Sequence, residues 1–333
     1  MTSHARPVRV LAGAALLGSA CTLVAPASAA DARDRQAQGG GAIVSVERVA
    51  DLSAEDVVRE LHDKIDSSQV RHGVTAYRVA YRTTNSAGAP TTASQLVVLP
   101  RNRTHRLSTV SWLHGTTVYR KDVASENPAS DDRLAAFLFA STGRAVSAPD
   151  CVGLGSGEGF HPYGDPRATV AASVDGLRAA RTLDHRNGRE LKRKVQVSGF
   201  SQGGPATMTV GRALQQEGAD RSFRLGALAP VGGPFHLSAF EADAADDKIA
   251  GALPSASKDL LPVEIFHGRG DQDVDISHSR YCAGQLTKNG AAHRLTDVGD
   301  HDYSASVGQA LPRIITFFDK AADNAGDNAA RAD

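Results

Sequence analysis

Two runs, Thr75–Thr83 and Thr91–Leu99, alternate apolar and polar positions around Asn85-Ser86-Ala87-Gly88-Ala89-Pro90. Period-two alternation interrupted by turn residues predicts a β-hairpin. Beyond it, short apolar runs alternate with stretches of helical period. Strands are predicted at Thr109–Leu113, Ala145–Ala148, Val195–Ser198, Leu225–Leu228, Val263–Phe266 and His293–Asp297, with helices near 130–141, 166–183, 204–217, 276–288 and 312–321. Ser53, with Asp56 three residues on, reads as a capping box that opens an earlier helix. Asp165-Pro166 supplies a cap and first turn for the 166–183 helix, whose Val170, Val174 and Leu177 share a face. A hairpin followed by strand–helix alternation predicts an α/β fold: a mostly parallel central sheet with helices on both faces. The longest strand-free stretch, Gly232–Leu261, lies between the sixth and seventh of these strands. Phe235, Leu237, Phe240, Ile249 and Leu253 stand there among acids, which predicts a small helical cap over residues 232–261.

The first thirty residues follow a different pattern. Arg6 and Arg9 precede an apolar run from Val10 to Ala25, and Ala27-Ser28-Ala29 supplies small residues for cleavage. That predicts a secretory signal peptide over residues 1–30, too short and wrongly flanked for a lasting membrane span. Residues 31–42 read as a flexible leader and 321–333 as a disordered tail, leaving a catalytic domain over 43–320. The secreted chain would carry 35 basic and 37 acidic residues, a balance that argues against a nucleic-acid partner. A monomer acting on a small molecule is expected. Cys151 and Cys282 would remain; export permits a disulfide, but the predicted strand order sets them several strands apart, so two separate thiols are the alternative.

The chemistry concentrates where the strand Val195–Ser198 runs into Gly199-Phe200-Ser201-Gln202-Gly203 and then a helix. A serine at such a strand-to-helix reversal is held in a strained conformation with its hydroxyl presented. The flanking glycines leave room for the neighbouring strand and helix. The helix N-terminus directs free N–H groups at any anion formed there.

A serine hydroxyl needs a base, and the base needs a carboxylate to orient it. In sheets of this kind the chain order is serine, acid, histidine. Asp271, in the turn after Val263–Phe266, is the predicted acid, with Asp273 and Asp275 as rivals. His301, on the loop after His293–Asp297, is the predicted base, chosen by position over His278 and His293. Acyl transfer also needs oxyanion donors. The backbone N–H of Gln202 is one; the loop Leu113-His114-Gly115-Thr116-Thr117 offers that of Thr116, with Thr117 second. His114 is expected to bond within its own loop and Trp112 to sit in the core.

These residues resemble the α/β-hydrolase superfamily. Ala148-Pro149-Asp150-Cys151-Val152-Gly153-Leu154-Gly155, followed by His161-Pro162-Tyr163, is similar to the pattern of the secretory lipase family, the fungal lipase A type and its bacterial relatives. The resemblance implies a secreted serine hydrolase of carboxylic esters that uses neither metal nor cofactor, with Ser201, Asp271 and His301 at the matching positions. It also implies that the Asp150 loop buttresses the site. Fungal members carry a large apolar cap, whereas the Gly232–Leu261 stretch is short and acidic, which favours short-to-medium acyl esters over a lipid surface. A peptidase, an acyltransferase and a non-catalytic binding protein on the same fold are the other readings.

Overall fold

The structure, a computed structural model, describes residues 39–62, 64–216, 222–236 and 262–330, with side chains through 323. The expected signal peptide, most of the leader and most of the expected cap lie outside the described residues. Nine strands form one sheet in the order β1-β2-β3-β5-β4-β6-β7-β8-β9. They are β1 (Ile43–Leu52), β2 (Val74–Thr84), β3 (Pro90–Pro100), β4 (Arg106–Leu113), β5 (Ala145–Val152), β6 (Glu190–Phe200), β7 (Arg224–Val231), β8 (Val263–His267) and β9 (His293–Asp297). The first three pair antiparallel, as do β3 and β5, and every pair from β5 through β9 is parallel.

The hairpin and the six following strands match the hydrophobic pattern. β1 is an additional strand: it lies at the sheet edge with most of its residues exposed, so it carries no buried apolar face for the pattern to reveal. The predicted cap therefore falls between β7 and β8.

Helices α1 (Ala54–Leu61), α2 (Asp131–Ser141) and α6 (Tyr303–Ala330) supply one core, where Val57, Leu61, Phe139, Leu311, Ile315 and Phe318 pack on the sheet. The opposite face is covered by α3 (Pro166–Arg186), α4 (Gly203–Gln215) and α5 (Ser277–Lys288), through Leu177, Met208, Leu214, Cys282 and Leu286. The Ser53–Asp56 capping box forms, and Asp165 caps α3 by accepting from the Ala168 N–H at 2.8 Å. The last helix runs Tyr303–Ala330, so it starts before residue 312 and continues past 321 into the stretch expected to be a disordered tail. Pro312 lies inside it, and the Ser- and Gly-bearing turns ahead of that proline mask the helical pattern. Cys151 and Cys282 are both buried and free, so of the two alternatives the separate thiols are observed.

The chain runs β4–α2–β5 toward one edge of the sheet and then returns by α3 to β6 on the other side of β4. Such a reversal opens a crevice at the carboxyl ends of the central strands. The loops after β4 and β6 both empty into it.

Candidate active site

Ser201 joins β6 to α4 with φ of +55°, the left-handed region that a non-glycine residue rarely occupies. Its own N–H donates to the Val231 carbonyl at 3.0 Å, and its carbonyl accepts from Gly204 at 2.8 Å. The turn is tight enough that two neighbours must be glycine. A Cβ on Gly199 would stand 2.6 Å from the Leu113 carbonyl oxygen, and one on Gly203 only 2.1 Å from the same atom. The elbow thus presses directly on the end of β4 and the loop beyond it.

That loop carries Thr116 and Thr117, the residues expected there as oxyanion donors, past the serine. A Cβ on Gly115 would lie 3.8 Å from the Cβ of Ser201, so Thr116 begins next to Ser201. Among the described residues no hydrogen bond engages the N–H of Thr116, Thr117 or Gln202. Such unspent donors beside a buried serine are suited to an anion formed there. The Thr116 hydroxyl sits 3.1 Å from that of Tyr163. His114 bonds within its loop, with Nδ1 2.6 Å from the Gly115 carbonyl, and Trp112 is buried with its Nε1 donating to Asp132 at 2.8 Å. Asp150 is a buried anchor: its Oδ2 accepts from Ser94 at 2.6 Å and Ser125 at 2.5 Å.

Asp271 is buried in the turn after β8. Its Oδ1 accepts from the Asp273 and Val274 N–H groups at 3.0 and 2.9 Å. Its Oδ2 is buried and accepts no hydrogen bond among the described residues. Burial raises the Asp271 pKa, and the Val274 amide works against that. The rivals Asp273 and Asp275 face solvent, and Asp275 is spent capping Ser277 at 2.8 Å. His267 stands 3.6 Å from Asp271 Oδ2, but its Nε2 lies 2.7 Å from the Val274 carbonyl and its Nδ1 2.6 Å from Ser279. Burial lowers its pKa against the Val274 carbonyl and the Asp271 charge, and both of its ring nitrogens are held by Val274 and Ser279.

The turn bearing Asp271 and the loop bearing His301 are tied together: Arg269 N–H donates to Gly299 at 2.9 Å. A Cβ on Gly270 would meet the His301 carbonyl oxygen at 3.0 Å. The imidazole itself folds back over Gly299, where a Cβ would lie 2.9 Å from both Cδ2 and Nε2. The structure therefore brings the His301 loop against the Asp271 turn, but makes no hydrogen bond from the ring to Asp271 or to Ser201 among the described residues. His293 lies at the start of β9, at the opposite end of that strand, and His278 accepts from the His236 N–H at 3.2 Å.

A residue not singled out by the sequence pattern packs beside the elbow. Tyr303 opens α6 two residues after His301 and packs its ring on Phe200 at 4.6 Å. Burial raises the Tyr303 pKa, and hydrogen bonding toward Ser201 works against that shift. Its spacing from His301 and its aromatic character were the available signals, but nothing in the pattern foretold that α6 begins there.

No known family profile matches the sequence, and no curated protein matches it. Solved structures do. The rice cell wall degrading esterase LipA from Xanthomonas oryzae superposes with a TM-score of 0.72 at 18% identity, over 86% of this chain and 99% of that one. Candida antarctica lipase A superposes with a TM-score of 0.54 at 14% identity, over 80% of this chain and 78% of that one. This is the α/β-hydrolase fold. Because β6 through β9 run parallel, the elbow after β6, the turn after β8 and the loop after β9 all leave the same edge of the sheet, and Ser201, Asp271 and His301 lie on those three segments. Among the described residues no three His, Cys, Asp or Glu side chains are grouped to hold a metal, and no helix is long and apolar enough to cross a membrane.

Proposed function

We propose that this protein is a serine hydrolase of carboxylic esters, secreted after signal-peptide cleavage and acting on short-to-medium acyl chains. The observation that carries this reading is the left-handed Ser201 at the elbow, with the unengaged N–H groups of Gln202 and Thr116 on either side of it. The likeness to a LipA esterase and to a lipase supports it at the level of the fold.

In this mechanism Ser201 Oγ attacks the ester carbonyl and passes its proton to His301 Nε2. The carbonyl oxygen becomes an oxyanion held by the Gln202 and Thr116 N–H groups. The imidazolium then protonates the departing alcohol, leaving an acyl-serine that water, deprotonated by the same ring, hydrolyses. Asp271 orients the ring and offsets its charge. Oδ2 of Asp271 is the acceptor such a ring requires: turning the imidazole off Gly299 onto it would give a hydrogen bond to a buried oxygen that accepts none among the described residues. The acidic residues of the 232–261 segment favour a soluble ester over a lipid droplet.

A panel of p-nitrophenyl esters of rising chain length, run beside aminoacyl amides and a competing alcohol acceptor, tests the reading. Turnover of the shorter esters that disappears in Ser201→Ala is expected. Cleavage of amides alone, or acyl transfer without hydrolysis, would replace it with the peptidase or acyltransferase reading.

A further inference from the structure

The loop after β5 folds back onto the elbow, and His161 is the point where they meet. Its Nδ1 lies 3.1 Å from the Val152 carbonyl, an atom that can only accept, so Nδ1 carries the ring proton. Nε2 is then the lone-pair nitrogen, and 3.1 Å from it stands Nε2 of the Gln202 side chain, which donates. The two partners together select one tautomer and one orientation of the Gln202 amide; reversing either would set donor against donor or lone pair against lone pair. Burial lowers the His161 pKa, and the nearby His114, with ring centroids 6.1 Å apart, acts in the same direction. The neutral ring that this bond needs is the one its surroundings favour.

Gln202 is also the residue whose backbone N–H directly follows the nucleophile. Its backbone, at φ −49° and ψ −36°, precedes the first turn of α4, and no hydrogen bond fixes its N–H. The side-chain contact with His161 therefore restrains a peptide that the backbone leaves free on one side.

We infer that His161 is a positioning residue of the oxyanion site, holding the Gln202 side chain so that the Gln202 N–H stays aimed at the acyl oxygen. This rests on the ester-hydrolase reading of Ser201. An oxyanion forms only in the transition state, so the loss belongs in kcat and not in substrate binding. Complete loss of one oxyanion donor lowers kcat by about 10²–10³. A donor that is loosened rather than deleted is expected to cost roughly 10- to 100-fold.

The test uses His161→Leu, His161→Gln, Gln202→Met and the double variant His161→Leu/Gln202→Met, with ester kinetics and affinity for a trifluoromethyl ketone. His161→Leu is expected to lower kcat by roughly 10- to 100-fold, with KM changed less than about threefold, and to weaken the ketone by the same factor. His161→Gln can donate to Val152 and accept from Gln202, and recovers most of the rate. Gln202→Met keeps the backbone N–H but loses the tether; it should match His161→Leu, and the double variant should add nothing further. A rate within about twofold of wild type in His161→Leu, a loss confined to KM, or additive losses would overturn the inference. Should His161→Leu not fold, Gln202→Met and His161→Gln still decide the matter. The ¹⁵N side-chain amide signal of Gln202 reports the bond without turnover. Hydrogen-exchange protection lost in His161→Leu supports it, and unchanged protection overturns it. Absence of all ester turnover in the wild-type protein would instead remove the underlying reaction.

Discussion

Replacing Gly203 by alanine adds one methyl group where the elbow meets β4. That Cβ would stand 2.1 Å from the Leu113 carbonyl oxygen, 2.8 Å from its carbon and 3.0 Å from the His114 carbonyl oxygen. All three are backbone atoms, so no side chain can rotate aside. Ordinary contact begins near 3.4 Å, and the elbow and strand tip must part by about 1.3 Å. The strand tip that moves leads directly into the loop carrying Thr116, while the helix that moves begins directly after Gln202. A misplacement of about 1 Å at a catalytic centre lowers the rate by about 10²-fold. Overpacking of this kind also costs about 1–3 kcal/mol of stability, although alanine is intrinsically better in a helix by up to about 1 kcal/mol. Gly203→Ala is therefore expected to lose about 100-fold in kcat and about 1–2 kcal/mol in urea unfolding. Gly284→Ala is the control: it lies in α5 with nothing within 4 Å of its Cβ, and should be neutral in activity and slightly stabilising. Gly203→Ala with unchanged kcat and unchanged stability would refute the close approach of elbow and oxyanion loop.

Three further outcomes are expected. Asp271→Asn keeps an acceptor for the Asp273 and Val274 amides while removing the negative charge; kcat should fall by about 10⁴ in steady-state ester kinetics with the fold retained. Tyr303→Phe keeps the ring on Phe200 and removes a hydroxyl whose titration is coupled to Ser201, so phosphonylation of Ser201 should change by no more than about two- to tenfold, the worth of one ordinary hydrogen bond. Among the described residues neither Asp184 carboxylate oxygen accepts a hydrogen bond, and burial pushes its pKa from 3.8 up to about 6. An acid that binds its proton more tightly when folded supports the fold fully below about pH 4 and loses that contribution as pH rises through about 6. The gap corresponds to about 3 kcal/mol at most. Asp184→Asn should flatten the stability profile between those values and raise the urea midpoint at pH 7.

The central sheet was legible because burial writes a pattern. β5 is buried at every position and β3 over most of its length, so both appear as apolar runs whatever loops surround them. β1 is an edge strand with little to bury, and α6 is read late because Pro312 imitates a first turn. Ser201 was legible for a different reason: a glycine two residues away on either side is what the contact with Leu113 demands. Asp271 and His301 are candidates by chain order, and the loops that carry them lie together, yet the rotamer that turns the His301 ring over Gly299 is a side-chain choice that spacing does not encode. His161 and Tyr303 escaped for the same reason. Their partners, Gln202 and Phe200, are 41 and 103 residues away, and only the folded sheet edge brings them together.

The most direct test is covalent trapping of the serine. Incubation with a p-nitrophenyl alkylphosphonate followed by intact-mass and peptide mass spectrometry should show a single adduct on the peptide containing Ser201, with stoichiometric release of nitrophenol and parallel loss of ester turnover. No adduct should form on Ser201→Ala. An adduct at another residue, or a Ser201→Ala protein that still turns over ester at the wild-type rate, would contradict the assignment of Ser201 as the nucleophile.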